Sequence, residues 1–358
     1  MKKLQSILLI TLLSVTTVFN SCSSSDDSTT QDSTTTVAED QQNIEASMTQ
    51  LLSCLQTFED GAFSTELQDF FNIANGEIYS DYADLLLDRL DVFNIEFENF
   101  SFSSHVGIYA WNATSQNWDF TNSADNTMVF LFPHDENSAS NNVELAITSY
   151  ASQMVTFDGE NSELPTAFTG YIKKNNIELF NISLSNVVYE VNSNFSFPSN
   201  IDLSVTTAPF THTINLSRNT STEFDFTYGL QNNGSCVTSI MSTIVLNTSD
   251  YANIAGAEDF SHAFGTVLHQ NFEVRYSVEI DNLAVIDGDI TVSQINQFVN
   301  ADAYYNNAKV GDLVYNEEAD GSAFVTIIYQ DGTSDNVTRY VGDDFVNQLE
   351  TIFSAFIN

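Results

Sequence analysis

Lysine and arginine are scarce in this chain. Nine occur in 358 residues, against 48 aspartates and glutamates, for a formal net charge of -39. Two of the nine, Lys2 and Lys3, precede Cys22, so seven basic residues face all 48 acids beyond it. Charged residues total only 16%, against roughly 25% in an ordinary globular chain. The imbalance is therefore a lack of cations rather than an excess of acid, and Asn, Ser and Thr take the vacant polar positions. A surface so poor in cations cannot neutralise a phosphate backbone, which excludes nucleic acid as a partner. Peripheral docking on anionic lipid is disfavoured for the same reason.

Other shortages narrow the reading further. Only four prolines occur, and no second Gly/Ser-rich linker interrupts the chain. After the N-terminal segment no apolar run reaches the ~20 residues that a membrane-crossing helix needs. The chain has no G-x-S-x-G elbow, no P-loop, no dinucleotide fingerprint, no HExxH and no paired CxxC. The residues thus point to no enzymatic chemistry and imply no cofactor and no metal centre. The five histidines (His105, His134, His212, His262, His269) show no zinc-ligand spacing, and His212 lies in the apolar phase of its strand. Asp287-Gly288-Asp289 and the Asp331, Asp335 pair do not fit a calcium loop. Paired carboxylates of a glycosidase remain open, since 48 acids always offer pairs.

What is present is most telling at the N-terminus. Lys2 and Lys3 precede an apolar run from Ile7 to Phe19, a polar break and Cys22. The run is too short to span a bilayer and fits a cleaved export signal. FNSC (Phe19 to Cys22) resembles a lipobox, although Phe19 and Asn20 depart from its usual residues. Ser23-Ser24-Ser25-Asp26-Asp27 is similar to the surface-export signal of Bacteroidota lipoproteins. The resemblance implies an acylated Cys22, an outer-membrane location facing the cell exterior, and a membrane partner reached through acyl chains. Stable anchoring takes more than one such chain. Asp27-Ser28-Thr29 and Asp32-Ser33-Thr34 resemble O-glycan acceptors of that group, at Ser28 and Ser33. The segment from Val106 to Pro133 is also similar to stretches of Bacteroidota lipoproteins, and that likeness implies no activity.

Three segments follow. Residues 1–21 read as a signal peptide and 22–41 as the acylated cysteine with a flexible Ser/Thr/Asp tether. Residues 42–358 read as one β-rich domain with helical segments at both ends, about 315 residues and large enough for a substantial core. Ile44, Met48, Leu51, Leu52, Leu55 and Phe58 recur at helical spacing. Ser64 and Ser80 are positioned to cap further helical stretches. From Phe93 the apolar period becomes two, and strands are expected through Leu246 and again from Val274. Ile108 to Trp111 and Trp118 to Phe120 read as a hairpin. Ser293 is expected to open a helix, a strand to follow Asp331-Gly332 as far as Val341, and a last helix to begin at Asp343. The expected fold is α+β, predominantly antiparallel, as a large curved sheet or an open barrel or sandwich with helices at both ends. A concave apolar interior is conceivable in such a shape.

Two pairs of residues stay open at this stage. Cys54 and Cys236 are either bridged, as the cell surface allows, or buried free thiols. Trp111 and Trp118 are either a sugar-stacking platform or cross-strand core partners. The sequence reads as a lipid-anchored envelope protein with a non-catalytic binding or interaction role. Alternatives are a glycan-binding or glycan-active surface protein and a structural or assembly component of the outer membrane. Conceivable partners are a glycan, an apolar small molecule or an envelope protein.

Overall fold

The structure, a computed structural model, describes residues 35–63, 72–74, 77–79, 102–115, 117–134, 140–157, 160–192, 195–250, 254, 257–286, 290–318 and 323–341. Cys22, Ser28, Ser33, the stretches opened by Ser64 and Ser80, the Phe93 strand, Asp287-Gly288-Asp289 and the helix from Asp343 lie outside these residues.

In chain order the elements are helix α1 (Val37–Glu59), β1 (Asn72–Ala74), β2 (Glu77–Tyr79), α2 (Phe102–His105), β3 (Gly107–Asn112), β4 (Asn117–Thr121), β5 (Met128–Phe132), β6 (Val143–Phe157), β7 (Glu160–Lys174), β8 (Ile177–Asn192), β9 (Phe195–Thr207), β10 (Phe210–Arg218), β11 (Glu223–Gln231), β12 (Thr238–Leu246), β13 (Phe260–His269), β14 (Phe272–Glu279), α3 (Ile280–Ala284), α4 (Val292–Phe298), β15 (Val299–Tyr305), β16 (Ala308–Glu317), β17 (Ala323–Tyr329), β18 (Ser334–Asn336) and α5 (Thr338–Val341). The fold is α+β: a large, mostly antiparallel mixed sheet with helices near both termini. No described helix is long and apolar enough to cross a membrane. The chain divides into two compact units. The first holds Met1–Leu55, Asn219–Phe226 and Cys236–Asn358, and the second holds Gln56–Arg218 and Thr227–Ser235.

In the first unit, β12 to β18 form a meander in sequence order. A tight asparagine turn closes its β15–β16 hairpin. Asn306 and Asn307 take φ of 52° and 66° between β15 and β16, the left-handed pair that matches strand twist and that asparagine tolerates well. Alternation sorts β14 into two faces, with Val274, Tyr276 and Val278 on one side and Glu273, Arg275 and Ser277 on the other. The apolar side packs with Ile44, Met48, Ala301, Ala303, Val310, Val325 and Ile327 into one core. Ile44 and Met48 are 3% and 5% exposed, and burial of such side chains stabilises by ~1.5–3 kcal/mol each. Ala301 and Ala303 are small enough for the helix to approach the sheet closely.

α1 begins at Val37, inside the stretch read as tether, because Thr36 and Glu39 build a capping box. The Thr36 N–H donates to Glu39 Oε2 at 2.7 Å, and the Glu39 N–H donates to Thr36 Oγ1 at 3.3 Å. Two helix-start donors are thereby satisfied. α4 is opened by Thr291 rather than Ser293, again through a capping box, here with Gln294. The last strand stops at Asn336 instead of Val341. The Asn336 side chain accepts from the Thr338 N–H at 2.9 Å and hydroxyl at 2.8 Å, which turns the chain into α5.

In the second unit the hydrogen-bonded order is β10-β9-β8-β7-β6-β5-β3-β4. All pairs are antiparallel except β3 with β5, which run parallel from Gly107↔Met128 to Ala110↔Leu131. The β3–β4 hairpin therefore lies at the end of the order, with β3 inside. Tyr109, Trp118, Met128, Phe130, Phe132 and Val143 form a compact core there. The two-residue turn between β7 and β8 is another left-handed asparagine pair, Asn175 and Asn176 at φ of 52° and 66°. β1 and β2 pair separately, with Ile73 opposite Ile78.

Candidate functional site

In the second unit, β7 to β10 carry opposite chemistries on their two faces. Strand period and register decide which side chains meet. On one face Phe168, Leu184, Leu203 and Ile214 align across the four strands, as do Ile182, Val205 and His212 across β8 to β10. The end of α1 seats on this face: the Phe58 ring centroid lies 5.5 Å from Phe210 and 5.8 Å from His212. The Phe63 ring is 5.7 Å from Phe180.

The other face is hydroxyl and amide. Thr169 is opposite Ser183, Ser183 opposite Ser204, and Ser204 opposite Thr213. Two residues along, Asn181, Thr206 and Thr211 align in the same way. All seven side chains are half-exposed. A bulge between Ile147 and Ser149 brings two successive β6 hydroxyls to one partner. Thr148 and Ser149 Oγ atoms lie 2.7 and 2.6 Å from Thr169 Oγ1. At the far side Asn215 donates to Asp202 at 2.8 Å and Asn186 donates as well. The amides of Asn186 and Asn215 hold the Asp202 carboxyl below its usual range. Next to the ladder, Tyr171 donates to Glu144 at 2.5 Å, and Lys173 lies 3.8 Å over its ring. Burial, then Glu144, pushes the Tyr171 phenol up to about 12.

In the first unit the polar face of β14 to β16 carries a charge network. Asp302 stands directly opposite Asp312, an arrangement that destabilises unless the charge is compensated. Lys309 Nζ compensates both, at 3.0 and 2.8 Å. Burial and a hydrogen bond to Asp312 raise the Asp302 pKa. Arg275 makes two hydrogen bonds to Glu273, at 2.9 and 3.0 Å, and lies 3.8 Å over Tyr304. Lys309 thus clamps the two carboxylates in one ion network.

A second polar hub in the same unit centres on Asp335. It accepts from Gln41 at 2.6 Å, Tyr340 at 2.8 Å, Arg339 at 2.9 Å and Tyr329 at 3.2 Å. Burial alone would raise its pKa, but the four donors more than offset this and hold it low. Asp335 is thus a structural knot between α1 and the β17–β18 hairpin. Asp331 accepts from the Thr333 N–H and hydroxyl at its turn. Nearby, Thr35, Thr36, Val37, Asp40, Gln330 and Asp331 line a cleft of ≈ 430 Å³. Among the described residues no three of His, Cys, Asp and Glu cluster closely enough to hold a metal ion.

Trp111 and Trp118 face each other across the β3–β4 hairpin, with ring centroids 5.5 Å apart and planes at 74°. Trp118 is 9% exposed and also lies edge-on to Phe130 at 5.4 Å. These rings thus pack on one another and on the core of this unit. Cys54 and Cys236 form a disulfide, with Cα atoms 5.7 Å apart. The apolar period of β8, β9 and β10 does not by itself mark the hydroxyl face, whose signal lies in the Ser, Thr and Asn positions that alternate with it.

His212 and His269 are structural. His212 Nε2 lies 3.0 Å from Thr207 Oγ1 and Nδ1 lies 3.0 Å from Tyr228 Oη. His269 is 4% exposed, its Nδ1 lies 2.8 Å from Thr238 Oγ1, and its Nε2 has no hydrogen-bond partner among the described residues. Burial lowers both pKa values from 6.5. The unfolded chain therefore takes up protons near pH 6.5 before the folded chain does. Stability should be full above that pH and fall below it, by up to ~1.4 kcal/mol per pH unit for each histidine. Melting temperatures at pH 7.5, 6.5 and 5.5 check this, and a flat profile would contradict it.

Comparison with protein-family models, with curated proteins and with solved structures finds no match.

Proposed function

We propose that this is a lipid-anchored protein of the outer membrane, facing the cell exterior, with a non-catalytic binding role. The observation that carries the binding role is the ladder of half-exposed hydroxyls and amides on β7 to β10, opposite an apolar face. Such an array offers many weak hydrogen bonds and no activated nucleophile. The charge network around Lys309 supports the same reading, because both of its carboxylates are held by that lysine. The anchor rests on Cys22 and its flanking residues, and the acidic surface argues that lipid, rather than protein charge, holds the chain to its membrane.

Cys22→Ser separates the two parts of this reading. The variant is expected to leave the membrane fraction and appear soluble, with the folded body unchanged in its circular dichroism. A variant that stays in the membrane pellet to the wild-type extent rules out the acyl anchor. Intact mass of the wild-type protein gives an independent readout, since acylation and any glycan at Ser28 or Ser33 add known masses.

A further inference from the structure

From the hydroxyl face of β7 to β10 we infer the chemical class of the ligand: a neutral, linear polysaccharide lying across the strands. The inference rests on the binding role proposed above and assigns that role a surface and a partner.

Register makes the surface regular. Thr169, Ser183, Ser204 and Thr213 occupy successive strands in one line, so their backbones step by ~4.8 Å. Thr206 and Thr211 belong to a parallel line two residues away, displaced by ~6.8 Å along the strands. A hydroxyl both donates and accepts, so each position can pair with a sugar hydroxyl of either orientation. Hydrogen-bonding groups with such steps in two directions suit a ligand that repeats its own hydroxyls along a chain.

Charge selects among such ligands. The protein carries a formal -39, which repels a polyanion over the screening distance. The aligned Ser, Thr and Asn positions are uncharged, and Asp202 beside them is held ionised by two amides. A neutral polyol can donate to that carboxylate, whereas a carboxylated or sulfated chain meets like charge. An aromatic platform is not needed, and the two tryptophans are engaged elsewhere.

Energetics adds a length requirement. Each hydroxyl contact replaces one made to water, so a single sugar gains little. Linking many weak contacts on one chain raises the effective concentration of each next contact. Affinity should therefore climb steeply from monosaccharide to polymer.

The test uses the full chain in native affinity electrophoresis with dextran, laminarin or galactomannan in the gel, and alginate as the anionic control. Thr206→Val, Thr211→Val and Thr213→Val are combined, since valine keeps the branched shape and strand preference while removing the hydroxyl. We expect at least one neutral polymer to retard the wild type, glucose and mannose not to compete at millimolar concentration, and the triple variant to bind at least tenfold more weakly. The triple variant should melt as the wild type does, and a Ser183→Ala, Ser204→Ala pair should repeat the loss if it does not. Retardation by a neutral polymer that neither variant set weakens would overturn this surface and leave the binding role standing. Retardation by alginate alone would overturn the charge argument, and no retardation by any neutral polymer would overturn the inference. Release of reducing ends during incubation would sink the non-catalytic reading while leaving the contact surface in place.

Discussion

Replacing Cys54 and Cys236 together by serine is expected to cause the largest loss of stability of any change considered for this protein. The bridge spans 182 residues of sequence, and closing a loop of that length restricts the unfolded chain by ~5 kcal/mol in the entropy model. Both cysteines belong to the first unit. Cys54 lies on α1 a turn or two beyond Met48 and Leu51, which pack into that unit's core. The bridge therefore pins the far end of a helix whose near part already contributes to packing. The doubly substituted protein should unfold at a clearly lower denaturant concentration. Reductant should shift the wild type toward it and leave the variant unmoved. Equal midpoints for all samples, with and without reductant, would show that the bridge contributes nothing to the folded state.

Trp118→Ala should have the next largest effect. The ring is 9% exposed and packs with Tyr109, Met128, Phe130, Phe132 and Val143. Truncating a buried aromatic of this kind costs ~3–5 kcal/mol, because the cavity left behind collapses only in part. Trp111→Ala should cost less, since that ring is half-exposed and loses only part of a packing on the core along with an edge-to-face contact worth ~0.5–1.5 kcal/mol. Neither change should reduce polysaccharide retention in a variant that remains folded at the assay temperature. The opposite pattern, near wild-type melting for Trp118→Ala with lost retention, would return the tryptophans to the role of a sugar platform.

The strands and α1 were readable along the chain because they follow simple periods. Ile44, Met48, Leu51 and Leu52 repeat at helical spacing, and the structure packs them on the sheet. The strands from Thr169 to Leu246 and the hairpin from Ile108 to Phe120 were visible as alternation. Errors clustered at the ends of elements, where one side-chain hydrogen bond decides the outcome. Thr36 with Glu39 and Thr291 with Gln294 each form a reciprocal cap, and Asn336 ends a strand early. Such local competition leaves little mark on hydrophobic periodicity. The parallel pairing of β3 with β5 was equally hidden, because register between strands is not written in either strand alone.

What the residues determined unaided was composition and period: few cations, alternation over most of the chain, two cysteines beyond Cys22, and an N-terminus that resembles a lipoprotein signal. What only the folded chain decided was adjacency. Tertiary pairing set Trp111 against Trp118, brought Cys54 to Cys236 across 182 residues, and lined up Thr169, Ser183, Ser204 and Thr213 on one face. The reason is that a strand's own period tells which side a residue takes, while its neighbours on that side depend on the register of the strands hydrogen-bonded beside it.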